Sequence, residues 1–353
     1  MSQSTITGLK VTGIAAAVPI ATQDISDLSA VFGADESSKI ASSVGVTQRH
    51  IAPNNQCTSD YCIAAARQLL DQIAWNPSSI DGLIFVTQTP DYVLPATACT
   101  IQEKLGLSKE CAAFDVNLGC SGFTYGLWLA SCLLKGGGLK KVLLLCGDTI
   151  SRIAAPEDRS VAALFGDAGT AVAIEIDEFS VDPWHFHLGT DGSGEKKLIV
   201  PCGGFRNKRT YESAIRSVRE GNNIRSDEDL YMDGPEIFAF TLREVPKLVN
   251  NLLDAAQMTL GDIDFVVCHQ ANKFMLEFLA KRMKIPSEKF VLALENFGNT
   301  SSASIPLALV THLKSQISTG HLRVLLAGFG VGFSWGGVIL DFKNPTVCEL
   351  VFI

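Results

Sequence analysis

Charge is scarce in this 353-residue chain: Asp, Glu, Lys and Arg together make up 19%, and the formal net charge is −8. Such a balance attracts neither a phosphate backbone nor an anionic membrane surface, so no nucleic-acid partner is expected. Also missing is any run approaching the roughly 18 to 20 apolar residues of a membrane span. The opening MSQSTITGLKVTGIAAAVPI has no basic leader ahead of its apolar stretch, and a soluble, cytoplasmic protein with no membrane partner is the expectation. The ten cysteines include no CxxC pair, and several fall inside apolar runs such as KVLLLCGD and DFVVCHQ. That pattern suits reduced, buried thiols and excludes a disulfide framework or a zinc site, so no metal is expected.

What the chain does have is apolar bulk. At 47% hydrophobic residues it can fill large cores, and it contains an internal duplication. Leu69-Leu70-Asp71 recurs as Leu252-Leu253-Asp254, an offset of 183, each followed eleven residues on by Ile-Asp, at Ile80-Asp81 and Ile263-Asp264. Asn117-Leu118-Gly119-Cys120-Ser121 aligns with Asn296-Phe297-Gly298-Asn299-Thr300 at an offset of 179, and Val142-Leu143-Leu144 with Val324-Leu325-Leu326 at 182. Three matches in the same order predict two similar α/β halves, 1–176 and 177–353, related by a pseudo-twofold axis, each alternating strands with helices. The segment 201–229 breaks the apolar periodicity, carries Arg206, Lys208, Arg209, Arg216, Arg219 and Arg225, and reads as an inserted flap with short helical content.

The repeat places Cys120 and Asn299 at equivalent turns, where they could face one another between the halves. AAFDVNL (112–118) reads as a buried strand and SGFTYGLWLASCLL (121–134) as a helix, with Gly119-Cys120 at the turn between them. A thiol at a helix start is expected to ionise more readily, because unpaired N–H groups favour the thiolate. Core packing and nucleophile both remain open for such a cysteine. His269 ends the strand FVVC, where a hydrogen-bonded structural role is the alternative to catalysis. Asn299, ahead of SSASIPLALVTHL, could equally be a turn or cap residue.

DVNLGCSGFTYGL, CHQAN, NFGNTSSASIPLAL and GFGVGFSWGG together resemble the signature segments of the beta-ketoacyl-ACP synthase III family. GVTQRHIA (45–52), TPDYVLPATACTIQEKLG (89–106), RSVAALFGDAGTAV (159–172) and MDGPEIFAF (232–240) follow in family order, so the resemblance runs from about Gly8 to Phe342. It implies the five-layered αβαβα thiolase fold, a homodimer, and a cofactor-free acyltransferase. In that reaction a cysteine-bound acyl group condenses with a malonyl thioester as carbon dioxide leaves. By the same resemblance Cys120 is the nucleophile, and His269 and Asn299 stabilise the enolate. The backbone N–H groups of Cys120 and Val331 form the oxyanion hole, Phe329 lies beside the nucleophile, and Leu94 closes the acyl pocket across the dimer. Contacts with coenzyme A or the acyl carrier protein fall to Arg152, Gly234, Phe238, Asn272, Lys273, Lys281 and Arg282.

Related condensing enzymes differ at these positions. A degradative thiolase needs a second cysteine in the C-terminal glycine turn, absent from Gly328-Phe329-Gly330-Val331-Gly332, and elongating synthases carry histidine where Asn299 stands. Type III polyketide synthases share Cys, His and Asn and are the nearest alternative, but they lack the GVTQRHIA and MDGPEIF segments. A catalytically silent dimer partner is disfavoured by the intact trio. Departures from the family pattern are Lys39 and Ser43, where an aromatic and an arginine of the nucleotide site are expected, Phe274 where an arginine is expected, and the tail NPTVCELVFI. The first two point to an acyl donor carried on protein.

Overall fold

The computed structural model describes residues 2–353. Two sheets carry the fold. In the first, Leu9–Val18, Ala168–Ile176, Lys141–Asp148, Gly82–Val86 and Ala112–Val116 lie side by side in that order. In the second, Trp184–Thr190, Ser334–Lys343, His321–Gly330 and Phe265–Cys268 repeat the first four places. The pairing senses match as well: antiparallel, antiparallel, then parallel in both sheets. Even the fifth place has a remnant, an isolated parallel bridge from Val266 to Phe290. The duplication read from sequence offsets is therefore a repeat of topology.

The termini cross over. Ser2–Ile6 pairs antiparallel with Trp184–Thr190 and so edges the second sheet, while Thr346–Val347 and Val351–Phe352 pair parallel with Leu9–Val18 on the edge of the first. The extra tail thus covers a sheet edge that would otherwise present unpaired N–H and C=O groups, and the sheets share strands across the boundary at 176/177.

Five layers follow from which face each element can bury. Helices Gly122–Gly136 and Ser304–His312 are apolar enough to be buried between the sheets and touch both. Thr58–Gln72 and Thr97–Lys104 cover the outer face of the first sheet, and Gly234–Ala256 with Lys273–Met283 the outer face of the second. Three apolar clusters fill the intervals, a central one around Phe123, Leu144, Phe186 and Leu309 and one under each outer layer. This is the αβαβα arrangement, and it sets the starts of both central helices, where Cys120 and Asn299 lie, against each other in the middle of the molecule. Among the described residues no helix is long and apolar enough to cross a membrane.

The 201–229 excursion contains the short antiparallel pair Ser217–Val218 with Ile224–Arg225 and a 3-10 turn at Glu220–Asn222. Ion pairs hold it together: Arg216 with Asp229 (3.1 Å), Arg219 with Asp227 (2.9 Å), Arg209 with Glu228 (3.3 Å), and the buried Arg225 with Asp158 (3.1 Å) and Glu220 (2.6 Å).

Candidate active site

Cys120 occupies the turn between Ala112–Val116 and Gly122–Gly136 and is 7% exposed. Close approach explains the glycines around it. A Cβ at Gly330, whose φ is +155°, would lie 2.7 Å from Cys120 Cβ and 2.8 Å from its Sγ, so only glycine lets that strand pass the thiol. Ser121 Oγ lies 2.6 Å from Ser334 Oγ, which itself donates to Val331 O at 2.8 Å. These bonds fix the Gly330–Phe333 turn over the helix start. As a result the backbone N–H groups of Val331 and Cys120 both bear on the Cys120 sulfur.

The expectation of a readily ionised thiol is corrected here. Burial pushes the Cys120 thiol up to about 11, and the charge of Asp148 adds to it, outweighing the Val331 and Cys120 amides. A sulfur withdrawn from water loses more solvation as thiolate than a helix start returns.

His269 follows Phe265–Cys268 and is held by its N–H to Ala327 O, 2.8 Å. Its Nδ1 lies 2.7 Å from Ser304 Oγ, so Nε2 is the nitrogen left for the cavity. Burial lowers the imidazole to about 3, which keeps it neutral at physiological pH. Asn299 is anchored by backbone bonds to Leu164 O (2.8 Å) and from Gly166 N (3.2 Å). Its side-chain Oδ1 accepts from Ser301 N at 2.9 Å, which turns the Nδ2 donor toward the site. Cys120, His269 and Asn299 line one cavity together with Phe329, Gly330, Asn272, Gly234, Leu198, Met232, Ile237 and Met275. Thiol, imidazole and carboxamide thus come from both halves to one point.

Residues 114–192 match the family described as 3-oxoacyl-[acyl-carrier-protein] synthase III, and residues 253–342 match its C-terminal domain. The chain is 37% identical over 308 residues to the beta-ketoacyl-[acyl-carrier-protein] synthase III of Neisseria meningitidis serogroup A, covering 86% of this chain and 90% of that one. The chain belongs to the beta-ketoacyl-ACP synthase III family. Among solved structures, a 3-oxoacyl-(acyl-carrier protein) synthase from Burkholderia xenovorans superposes with TM-score 0.94 at 40% identity, covering 99% of both chains. The synthase III of Pseudomonas aeruginosa superposes with TM-score 0.81 at 31% identity, covering 97% of this chain and 100% of that one. This synthase is thus a condensing enzyme and acyltransferase of the thiolase fold.

Other residues that the resemblance singled out are spread more widely in the synthase. Phe329, 1% exposed, meets His269 edge to face, with ring centroids 5.8 Å apart. Gly234 and Asn272 line the cavity, and Asn272 Oδ1 also caps the helix Lys273–Met283 through Met275 N at 2.8 Å. Phe238 stands outside the cavity wall, stacked on Phe274 at 5.6 Å and edge-on to Phe278. Lys273 lays its stem over Gly45, while Lys281 and Arg282 are exposed at the helix end. Leu94 is 78% exposed and outside this cavity.

Arg152 is exposed and outside the catalytic cavity, and its guanidinium donates to the carbonyls of Pro53 (3.0 Å), Asn54 (3.3 Å) and Gln56, which ties down the 53–57 loop.

Sequence reasoning also missed two residues behind the site. Ser304 orients His269 from 35 positions away. Asp148 ends the apolar strand Lys141–Asp148, fully buried with no cation beside it. It accepts from Gln88 N (2.7 Å), Thr87 Oγ1 (3.1 Å), Ser302 N (3.2 Å) and Ser302 Oγ (2.8 Å), which couples the two halves under the catalytic turns. An acid closing an otherwise apolar strand was the available signal. Among the described residues no three His, Cys, Asp or Glu side chains converge as a metal site would require.

Proposed function

We propose that Cys120 carries the acyl group and that His269 and Asn299 drive the decarboxylative step. The observation that supports this is the pinning of both side chains in one cavity, each by a bond that leaves a single nitrogen free. In the first half-reaction Cys120 Sγ attacks the acyl thioester carbonyl. The tetrahedral oxygen is received by the Cys120 and Val331 N–H groups, and the thiol proton leaves with the departing thiol. Because the resting thiol is neutral, ionisation accompanies substrate arrival and no stored thiolate is involved.

A malonyl thioester then enters and loses carbon dioxide. In this mechanism the imidazole proton is assigned to Nε2, with Nδ1 accepting from the Ser304 hydroxyl 2.7 Å away, and Nε2 joins Asn299 Nδ2 in donating to the enolate oxygen. Two neutral donors are sufficient because negative charge develops on one atom. The carbanion attacks the acyl carbon, and collapse of the intermediate expels the Cys120 thiolate, which takes one proton from water. No cofactor takes part.

The active form is a cytoplasmic homodimer. Tyr92, Val93 and Leu94 are 65%, 78% and 78% exposed on a loop rooted beside the site, and a second copy covering them would bring Leu94 to the partner's acyl pocket. The acyl donor arrives on a carrier protein in preference to coenzyme A. On helix Ala34–Val44, Lys39 lies 3.9 Å from Glu36, which also pairs with Arg159 at 3.3 Å, so both cations are drawn to a carboxylate that competes with a nucleotide phosphate for them. The test is to supply an acyl donor and malonyl carrier protein and measure carbon dioxide with the β-ketoacyl product. Release of both in equal amounts is expected, and carbon dioxide without product, or neither, contradicts the reading.

A further inference from the structure

The excursion 201–229 springs from two segments that contribute to the lining of the catalytic cavity. Its two ends are the paired segments Leu198–Ile199 and Tyr231–Met232, and Leu198 and Met232, opposite one another in that pair, both line the cavity. The excursion is therefore rooted in the wall of the cavity that a thioester-delivering macromolecule has to reach.

Its six cations divide into two sets. Arg209, Arg216, Arg219 and Arg225 are used internally in the ion pairs described above. Arg206 and Lys208 are exposed, and among the described residues neither has an acidic partner. Around them Phe205 is 86% and Tyr211 82% exposed. The tip that presents them is braced: Gly203 N donates to Asn207 O (2.9 Å), Asn207 Nδ2 to Pro201 O (3.0 Å), and Ser213 Oγ to Glu228 (2.6 Å). On a chain of net charge −8, this is a braced cationic and aromatic projection on a segment whose two ends line the cavity.

From this we infer that the tip formed by Phe205, Arg206, Lys208 and Tyr211 is a docking contact for an acidic acyl carrier protein, separate from the Lys281–Arg282 end of the neighbouring helix. The inference rests on the carrier-protein reading above. Charge complementarity selects the occupant: two unpaired cations flanked by aromatic rings suit an acidic helical surface, with the rings supplying apolar area and the cations steering the approach. A braced tip has little conformational freedom to lose on binding.

The test is the Kd of the host's acyl carrier protein in its holo form, by fluorescence anisotropy at two salt concentrations. It compares the wild-type protein, the double variant Arg206→Glu with Lys208→Glu, and the double variant Phe205→Ser with Tyr211→Ser. None of these side chains belongs to the internal ion pairs or to the catalytic cavity, so melting temperature and acylation of Cys120 by a small N-acetylcysteamine thioester stay at the wild-type level. The charge variant is expected to bind about tenfold more weakly at low salt with a flatter salt dependence, because two attractive contacts become repulsive. The aromatic variant weakens binding with an unchanged salt slope. An unchanged Kd in both overturns the inference. So does a changed oligomeric state with unchanged carrier affinity, which would assign the tip to a contact between copies. If the wild-type protein binds the carrier but Cys120 is never acylated, the catalytic reading fails while the docking contact stands.

Discussion

Replacing Asn299 separates the two half-reactions. Its Oδ1 is occupied by Ser301 N at 2.9 Å and its backbone by Leu164 and Gly166, so Nδ2 is the group it offers to substrate. In Asn299→Ala the enolate keeps the His269 donor and loses the other. Loss of one preorganised donor costs roughly 2.7 to 4 kcal/mol, about 10²- to 10³-fold in rate. The same change strips the buried Ser301 N–H of its acceptor, which costs about 1 to 3 kcal/mol of stability. Asn299→Asp removes the donor while keeping the acceptor. A carboxylate still accepts from Ser301 N but is buried without a cation, so stability is not regained; while ionised it donates nothing and adds negative charge beside the forming enolate, so condensation falls at least as far. The assay pairs intact-mass measurement of the acyl-enzyme with carbon dioxide release from the malonyl thioester. Acylation within a few fold of wild type, with condensation reduced by two orders of magnitude or more, is expected in both variants. If acylation and condensation fall together, or if Asn299→Asp condenses normally, the assignment of Nδ2 to the enolate is wrong.

Two further predictions concern charge. Burial raises the Cys120 thiol to about 11, so alkylation of Cys120 by iodoacetamide in the free protein should climb steadily from pH 7 to pH 10; a plateau reached by pH 7 would show a resting thiolate. Burial holds His269 near 3 in the folded protein against 6.5 for the unfolded residue. The unfolded state therefore takes up a proton that the folded state refuses, and the contribution to stability, intact above pH 6.5, is lost as pH falls toward 3 at about 1.4 kcal/mol per pH unit. Urea titrations from pH 7 to pH 4 on wild type and His269→Gln would show a shallower acid loss in the variant, and parallel curves would contradict it. Arg152→Ala should loosen the 53–57 loop and lower the melting temperature; an unchanged melting temperature would contradict that role.

Much of the fold was legible because it is written twice. Two strand-to-helix turns at nearly constant offset placed Cys120 and Asn299 opposite each other, and the structure sets them in the same cavity by matching strand order in the two sheets. His269 was legible as a strand-end residue, but its orientation depends on Ser304, a contact across 35 positions with no local periodicity behind it. The terminal strands escaped for a related reason. Ser2–Ile6 and Thr346–Val347 are short edge strands whose partners are far along the chain, so alternation within them carries no sign of which sheet they join. The thiol was misjudged because helix position can be read locally, whereas the depth of burial that dominates its ionisation is a property of the assembled layers. In the 201–229 segment the cations were visible, but which of them are internally paired was not.

The central claim is that Cys120, out of ten cysteines, is the residue that carries the acyl group. Peptide mapping by mass spectrometry after a brief incubation with an acyl thioester tests it directly, with Cys120→Ser run alongside. The expected result is one acyl adduct, confined to the peptide containing Cys120 and labile to neutral hydroxylamine, with no adduct in the variant. An adduct on the exposed Cys99, or acylation that survives Cys120→Ser on another cysteine, would contradict the claim.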